Sequence, residues 1–546
     1  MTFAARVAWV VPPEPIRGLD HLGIQAPCIT LYGQLLPGIT NVTDRARYYS
    51  FHPWILRSFD KRYKTKTIEE FCRVLRRAEC LFTLIAIRHA RKLSDTDEGR
   101  HGKALVGRNK LLRVDEARDF SLDDYARLEG PHRYFKNKLG GLGQYYFGPL
   151  RDLRILDHSP EGAGYPPGYD RKRGCSLAEA FANGVPEDAF FNVLESPSSA
   201  WADLDELSSF CPCALRNNRT ELERLLDLFL ARSEAFQRDG GLVRKASLGL
   251  MLDLAGRSST RATGYSFERI LRGAAYSETL PDGSPWQVVP AFQRVQRGWG
   301  TYQRNELLSL AMQGLFAAVL RAIERDHGGR ILRTADAADV AVSLLPSLSD
   351  KLPLPLERVV ARIRTDLPSL DDWMNPKHEL EHGWRLNGAH LDDHQLERIA
   401  SESVAILLAL LARGVGDYPY NDFELAPEFF DPGEVHLLSF LQRFRNEWKG
   451  LSVEEWIRWL AVHWGVARHL RVALRKLRGE RRDTFRIRPL EREFRVIEAP
   501  APTYTVPRVS QSVQILRDLD LIDYDVEGAI VLTSRGQQEL EVCRGS

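Results

Sequence analysis

The sequence has little of what marks membrane, secreted or nucleotide-hydrolysing proteins. No run approaches the ~18 consecutive apolar residues of a membrane-spanning helix. The seven cysteines are scattered and odd in number, so a disulfide framework is not expected. Cys211 and Cys213 form a Cys-Pro-Cys without a second cysteine pair, and we interpret them as ordinary thiols. Neither a G-x-x-x-x-G-K-S/T phosphate loop nor a G-x-S-x-G nucleophile elbow occurs, which argues against P-loop and α/β-hydrolase enzymes.

The N-terminal sequence is not typical of a signal peptide. Residues 1–13 combine one cation with a short apolar run and two prolines, and no clear small-residue cleavage site follows. Together with the cysteine content, this favours a cytoplasmic protein.

Net charge is also small, but its distribution is uneven. The formal charge is +2 at pH 7. Between Arg468 and Arg495, eleven Lys or Arg residues stand against four Asp or Glu residues. Such a cluster would attract a polyanion and bind it with salt-dependent affinity. A solvated surface helix and hairpin is the alternative interpretation.

What the sequence does contain is helical periodicity. Thr67 and Glu70 form a capping box that predicts a helix to about residue 92. Further apolar stripes of period 3.6 predict helices at 221–236, 242–254, 305–325, 396–412 and 453–478. The predicted fold class is therefore mainly α, with some β structure (α+β).

The C-terminal stretch 503–540 carries the most specific pattern. Val509, Val513 and Leu516 share one face of a helix. Two β-rich runs joined by a turn at Gly528 predict a hairpin, and a further helix follows. This order resembles the second half of a winged helix-turn-helix domain.

That resemblance implies DNA contact, with the helix in the major groove and the hairpin wing against the backbone. Arg508, Gln511 and Gln514 lie away from the apolar stripe and are the expected DNA-binding residues of this module, because glutamine can read base edges. Asp518, on the same face, would repel phosphate.

A second module is predicted from an internal repeat. Residues 150–157 (LRDLRILD) match 516–523 (LRDLDLID) at five of eight positions, with two Leu/Ile exchanges. Arg173-Gly174 then matches Arg535-Gly536 after a wing longer by four residues. The alternative is a chance match on a common amphipathic pattern. The predicted phosphate-binding residues of this copy are Arg133, Lys136, Lys138, Arg171, Lys172 and Arg173.

One motif suggests enzyme chemistry. The segment from His378 to His382 reads H-E-x-x-H and resembles the zinc-metallopeptidase motif, in which both histidines bind zinc and the glutamate (here Glu379) is the base. Pro376 and Gly383 flank it where such a helix is usually continuous. Other interpretations are another kind of metal site or a polar helix end. Apart from this zinc ion, no cofactor is predicted.

The sequence predicts four consecutive domains: an N-terminal segment (1–109), a winged-helix-like module (110–185), a helical body (186–479) and a C-terminal winged-helix-like module (480–546). The expected function is a non-enzymatic DNA-binding or DNA-associated subunit, with double-stranded DNA and other protein subunits as partners. At fold level this organisation resembles kleisin-like partners of SMC ATPases and accessory subunits of bacterial anti-phage or restriction systems. A zinc-dependent metallohydrolase and a protein-only scaffold are the alternatives.

Overall fold

The structure is a computed structural model in which residues 20–260, 263–415, 435–480 and 483–545 are described. Helices account for 61% and strands for 5%, which confirms the mainly α class. Within the described residues, the α-helices of the first half are α1 (Ala26–Leu35), α2 (Tyr48–Arg62), α3 (Ile68–Leu93), α4 (Arg108–Leu111), α5 (Asp123–Ala126), α6 (Phe147–Asp152), α7 (Arg173–Ala182), α8 (Glu187–Glu195), α9 (Arg219–Leu230), α10 (Glu234–Gln237), α11 (Gly241–Ala255) and α12 (Phe267–Ser277).

The later α-helices are α13 (Pro290–His327), α14 (Thr334–Ser343), α15 (Leu356–Asp366), α16 (Glu379–Leu386), α17 (Leu396–Val415), α18 (Leu437–Arg443), α19 (Val453–Trp459), α20 (Ala467–Glu480), α21 (Val509–Asp518) and α22 (Ser534–Arg544). Tighter or wider helical turns occur at Leu142–Tyr146, Trp201–Phe210, Pro212–Asn217, Ser258–Thr260, Pro346–Leu348, Asp393–Gln395, Phe444–Trp448 and Leu460–Val466.

The strands are short and antiparallel. They are β1 (Leu156–Asp157), β2 (Gly168–Tyr169), β3 (Arg330–Ile331), β4 (Ile487–Pro489), β5 (Phe494–Val496), β6 (Ile522–Tyr524) and β7 (Ile530–Leu532). In the described parts of the chain, β1 pairs with β2, β6 pairs with β7, and a three-stranded sheet has the order β3-β5-β4.

The chain divides into two compact units, each assembled from separate segments. The first unit comprises 1–32, 272–286 and 297–505, and the second comprises 33–271, 287–296 and 506–546. This differs from the four consecutive domains that the sequence predicts. The predicted module 110–185 and residues 506–546 of the predicted C-terminal module belong to the second unit, whereas the part of that module before 506 belongs to the first.

The second unit has an aromatic core built around α2. Phe51 and Trp54 of this helix contact Phe181, and Phe210 stacks on Phe190 with ring centroids 4.4 Å apart. Aromatic pairs of this kind add to the stabilisation from burial.

Two charged pairs lie inside this unit. Arg47 pairs with Glu221 at 2.9 Å, and both side chains are fully buried. Arg45 pairs with Asp518 at 2.9 Å in a similar environment. Removing either partner would leave a buried charge without compensation.

The first unit contains a tryptophan cluster. Trp448 packs against Trp456, Trp459 and Trp464, and the Trp448 and Trp459 ring centroids are 5.0 Å apart. These rings belong to the segment 444–466, which follows α18 and includes α19.

Among the residues that the structure describes, one helix is long and apolar enough to cross a membrane. It is α13, and 89% of its apolar window is buried inside the protein, as is common for the core helix of a soluble protein.

Candidate nucleic-acid interface

The two repeated segments have the same local structure. Helix α6, β1, β2 and α7 follow one another in the order shown by α21, β6, β7 and α22. Two residues after the end of each first helix, the chain has a left-handed backbone, at Arg154 (φ 56°) and Asp520 (φ 60°). The element order predicted at 503–540, and in its earlier copy, is therefore present.

Backbone contacts after the turn also correspond. The N–H of Asp170 donates to Ile155 O (2.9 Å), and the N–H of Thr533 donates to Leu521 O (3.1 Å). Gly174 lies against the first carbonyl and Gly536 against the second, so closely that a Cβ at either position would clash. The repeat is thus a repeat of local structure, while a complete winged helix remains a prediction.

The earlier copy carries a concave surface with an excess of positive charge, which we call the wing surface. It lies along β1, β2, the start of α7 and α10. Among its lining residues are five Lys or Arg, one histidine and three acids: Arg154, Arg171, Lys172, Arg173, Arg238, His158, Asp157, Asp170 and Glu234.

The cations of the wing surface differ in how they are paired. Arg154, Arg171 and Lys172 are exposed and make no ion pair with any residue that the structure describes. Arg173 is partly buried, pairs with Asp239 at 3.1 Å and donates to Leu153 O at 2.8 Å. Arg173 therefore links the start of α7 to Leu153 and Asp239, in addition to contributing positive charge.

Two of the three acids bond to the backbone. Asp170 accepts the N–H groups of Lys172 (2.9 Å) and Arg173 (2.6 Å), which fixes the entry into α7. Asp157 accepts the N–H of His158 at 2.8 Å. Neither carboxylate forms an ion pair with the exposed cations among the described residues.

Sequence reasoning placed Arg171, Lys172 and Arg173 at this wing but missed Arg154 and Arg238. Arg154 had a signal, because it stands inside the repeated octamer where the other copy has Asp520. Arg238 joins the surface from α10 and the turn after it, a contact that no local pattern reveals.

The other predicted residues of the earlier copy lie elsewhere. Arg133 donates to Leu128 O at 3.2 Å. Lys136 and Lys138 are exposed, and Lys138 lines a separate cavity with Arg73 and Arg127. The structure does not bring these three residues into the wing surface.

The C-terminal copy differs from expectation more strongly. Arg508 donates to Leu36 O (3.2 Å) and Ile39 O (2.5 Å). Gln511 and Gln514 are only 7% and 8% exposed, and their amides donate to Asn41 O and Gly99 O.

The face that was expected to read bases is therefore packed inside the second unit. Asp518 belongs to it and pairs with Arg45 instead of facing a phosphate. Its pKa is raised because burial outweighs the arginine. Arg508, Gln511 and Gln514 donate to loop carbonyls, and Asp518 accepts from Arg45. Sequence periodicity cannot distinguish such buried polar positions from solvent-exposed ones.

The basic cluster between Arg468 and Arg495 divides between interior and surface. Lys476 is buried and donates to Asp20 O at 2.9 Å, and Arg468 donates to Gly23 O at 2.9 Å. On the three-stranded sheet, Arg495 of β5 stands directly opposite Arg330 of β3 and Arg488 of β4. These three arginines form a second positive surface. Like charges opposite one another in a sheet also cost stability.

The H-E-x-x-H segment is not arranged as a metal site. His378 precedes the first residue of α16 as its N-cap, and its Nδ1 accepts the N–H of Leu380 at 3.2 Å. Nδ1 of His382 lies 2.8 Å from an Arg385 nitrogen. The imidazoles are thus already engaged by their own protein.

Glu379, the candidate base, is fully buried and pairs with Arg413. Burial would raise the pKa of Glu379, but His378 and Arg413 outweigh it and lower it to about 2. This motif is therefore a capped, ion-paired helix start, and its letters alone could not reveal that packing.

Comparison of the chain with models of protein families, with curated proteins and with solved structures finds no match.

Proposed function

We propose that the protein is a non-enzymatic DNA-associated subunit that holds the phosphate backbone of duplex DNA on its wing surface. The observation that carries this proposal is the group Arg154, Arg171 and Lys172, three exposed cations around one concave surface that have no partner carboxylate in the described parts of the chain.

A concave surface with an excess of one sign of charge attracts ions of the opposite sign, and duplex DNA is the polyanion that a β-hairpin wing commonly meets. Arginine and lysine on phosphates release condensed counterions, which supplies affinity without base recognition. We therefore expect binding that depends little on sequence.

A comparison inside the chain supports assigning this role to the earlier copy. At the position of Arg154, the C-terminal copy has Asp520, which pairs with Arg216 at 3.1 Å. Its wing cation Arg535, the equivalent of Arg173, faces Glu223 at 3.4 Å, and Arg173 likewise pairs with Asp239. The two copies therefore differ at Arg154, which has no ion pair among the described residues, whereas the equivalent Asp520 is paired.

The arginine row of the three-stranded sheet gives further, weaker support. Arg330 and Arg488 each have a carboxylate partner, Glu493 and Asp483. Arg495 is exposed and has no ion pair among the described residues. A polyanion on this row would offset the repulsion between the three guanidinium groups.

The test is the affinity of the full chain for a short labelled duplex, measured by fluorescence anisotropy. The double variant Arg171→Gln/Lys172→Gln should bind roughly tenfold more weakly, because two phosphate contacts are lost. Lys110→Gln/Arg113→Gln is a matched control: it removes the same charge from exposed residues of the same unit that do not line the wing surface. Its affinity should stay near that of the wild type.

Equal affinity of wild type and wing variant would contradict the proposal. Absence of salt-dependent DNA binding, combined with recovery of a stable protein partner, would favour the protein-only scaffold instead. The presence of partner subunits and a cytoplasmic location remain predictions from the sequence. The metallohydrolase alternative receives no support from the partners of Glu379.

A further inference from the structure

Two histidines and two cysteines from three separate segments meet in the second unit. His89 lies on α3, His101 follows in the loop after that helix, and Cys211 and Cys213 flank the start of the turn Pro212–Asn217. All four donor atoms lie within 4.8 Å of one another. This group contains no residue of the wing surface, so an inference from it is independent of the proposed function.

Three of the donor–donor distances are close to those of a tetrahedral metal centre. His101 Nδ1 lies 3.2 Å from Cys211 Sγ, His89 Nδ1 lies 3.4 Å from Cys213 Sγ, and the two sulfurs are 3.4 Å apart. Bonds of about 2.3 Å to sulfur and about 2.0–2.1 Å to nitrogen place neighbouring donors of a tetrahedron roughly 3.3–3.8 Å apart. The other pairs of donor atoms lie within 4.8 Å of one another, so the ligands would close in around the ion.

A carboxylate outside the group of four orients one of the imidazoles. His101 Nε2 lies 3.0 Å from Asp95 Oδ2, so Nδ1 is directed toward the sulfurs. Metal-bound histidines usually have such a carboxylate on the other ring nitrogen, where it fixes the tautomer and the ring orientation. The side chain of His101 is 1% exposed and that of Cys211 is fully buried.

The ligand set selects the metal and its role. Two thiolates with two imidazoles in a tetrahedral arrangement suit Zn²⁺. Four protein ligands leave no open position for substrate or water, which is the mark of a structural site.

We propose that His89, His101, Cys211 and Cys213 bind one zinc ion as a structural centre. On binding, two metal–sulfur bonds form, and any proton still carried by the two thiols is released to solvent. This replaces our interpretation of Cys211 and Cys213 as ordinary thiols. Sequence spacing gave no signal, because the histidines are distant from the cysteines and no second cysteine pair is present.

The centre would hold the loop from 94 to 107. Arg45 donates to the carbonyls of His101 (3.3 Å) and Lys103 (3.1 Å) and pairs with Asp518 of α21. Gln514 of the same helix donates to Gly99 O at 2.9 Å. A zinc ion that anchors this loop to α3 would thereby support the seat of the C-terminal helix.

The experiment measures zinc per chain in the purified full-length protein by elemental analysis, and absorbance after replacement with Co²⁺. Wild type should hold one zinc ion, and its cobalt form should show the visible bands of a tetrahedral site with a thiolate band in the near ultraviolet. Cys213→Ser should lose both signals. Cys175→Ser changes a comparably exposed free cysteine on α7 and should keep both.

His89→Gln, on a partly exposed position, is a second test should Cys213→Ser fail to fold. Asp95→Asn should retain the site but weaken zinc binding roughly 10- to 100-fold. A wild-type protein without zinc that gives no thiolate–cobalt band would overturn the proposal. So would equal zinc in the Cys213→Ser and Cys175→Ser variants, or a Cys211–Cys213 disulfide in place of the metal.

Discussion

Arg154 and Asp520 occupy equivalent positions in two copies of one local structure and carry opposite charges. Each follows a helix, adopts a left-handed backbone and leads into the first strand of a hairpin. Asp520 pairs with Arg216, whereas Arg154 is exposed. The same framework thus presents a compensated surface in one copy and a positive surface in the other.

The start of α22 lies against the carbonyl of Leu521, and the start of α7 lies against the carbonyl of Ile155. Glycine should therefore be required for stability at both helix starts. Gly536→Ala should lower the free energy of unfolding by about 1–3 kcal/mol, because the added Cβ meets the carbonyl oxygen of Leu521. Gly174→Ala, whose Cβ would lie 2.6 Å from Ile155 O, should cost less. Gly148→Ala on α6 has open space around it and is the control. Urea unfolding of the three variants tests this order, and equal stabilities would contradict it.

The buried pair of Arg45 and Asp518 should be essential to the second unit. Arg45→Met leaves the Asp518 carboxylate buried without its cation and removes donors from three loop carbonyls. We expect a loss of about 3–5 kcal/mol in the free energy of unfolding. Arg118→Met, at a side chain that is 85% exposed, should be nearly neutral. A small effect at Arg45, measured by chemical denaturation, would refute this assignment.

Three buried histidines should make the first unit sensitive to acid. A ring nitrogen of His378, His436 and His469 accepts a main-chain N–H, which requires the neutral imidazole. Burial lowers the pKa of each to about 4. Because the unfolded histidines bind protons near pH 6.5, stability should be present above that pH and fall progressively between about pH 6.5 and 4.

His436→Asn isolates one of these groups. Asparagine can accept the same N–H at the start of α18 but does not titrate in this range. The variant should be close to wild type in stability at pH 7 and lose less of it on acidification. Unfolding curves across this pH range test the prediction, and an unchanged acid sensitivity would argue against a contribution from His436.

Local features of the fold were predictable where neighbouring residues decide them. Thr67 accepts the N–H of Glu70 as the N-cap of α3, and the helix–strand–strand–helix order at the C-terminus follows from periodicity and turn chemistry. The pattern could not show that Gln511, Gln514 and Asp518 face inward, because their partners lie in loops hundreds of residues away.

The same limit applies to the division of the chain and to the metal centre. Each unit combines distant segments, so composition along the chain does not reveal its borders. His89 and Cys213 are brought together only by the packing of α3 against the segment Trp201–Phe210. The H-E-x-x-H motif is local and can be found in the sequence. The buried Arg413 that pairs with Glu379 comes from a remote helix, so the motif could not show that Glu379 is ion-paired.

The salt dependence of DNA binding reports how many phosphates the wing surface contacts. The logarithm of the association constant should fall linearly with the logarithm of salt concentration, by about 0.9 per phosphate contact. We expect Arg171→Gln/Lys172→Gln to reduce this slope by about 2, while Lys110→Gln/Arg113→Gln should leave it unchanged. A slope that is the same in all three proteins would contradict a phosphate-binding wing surface.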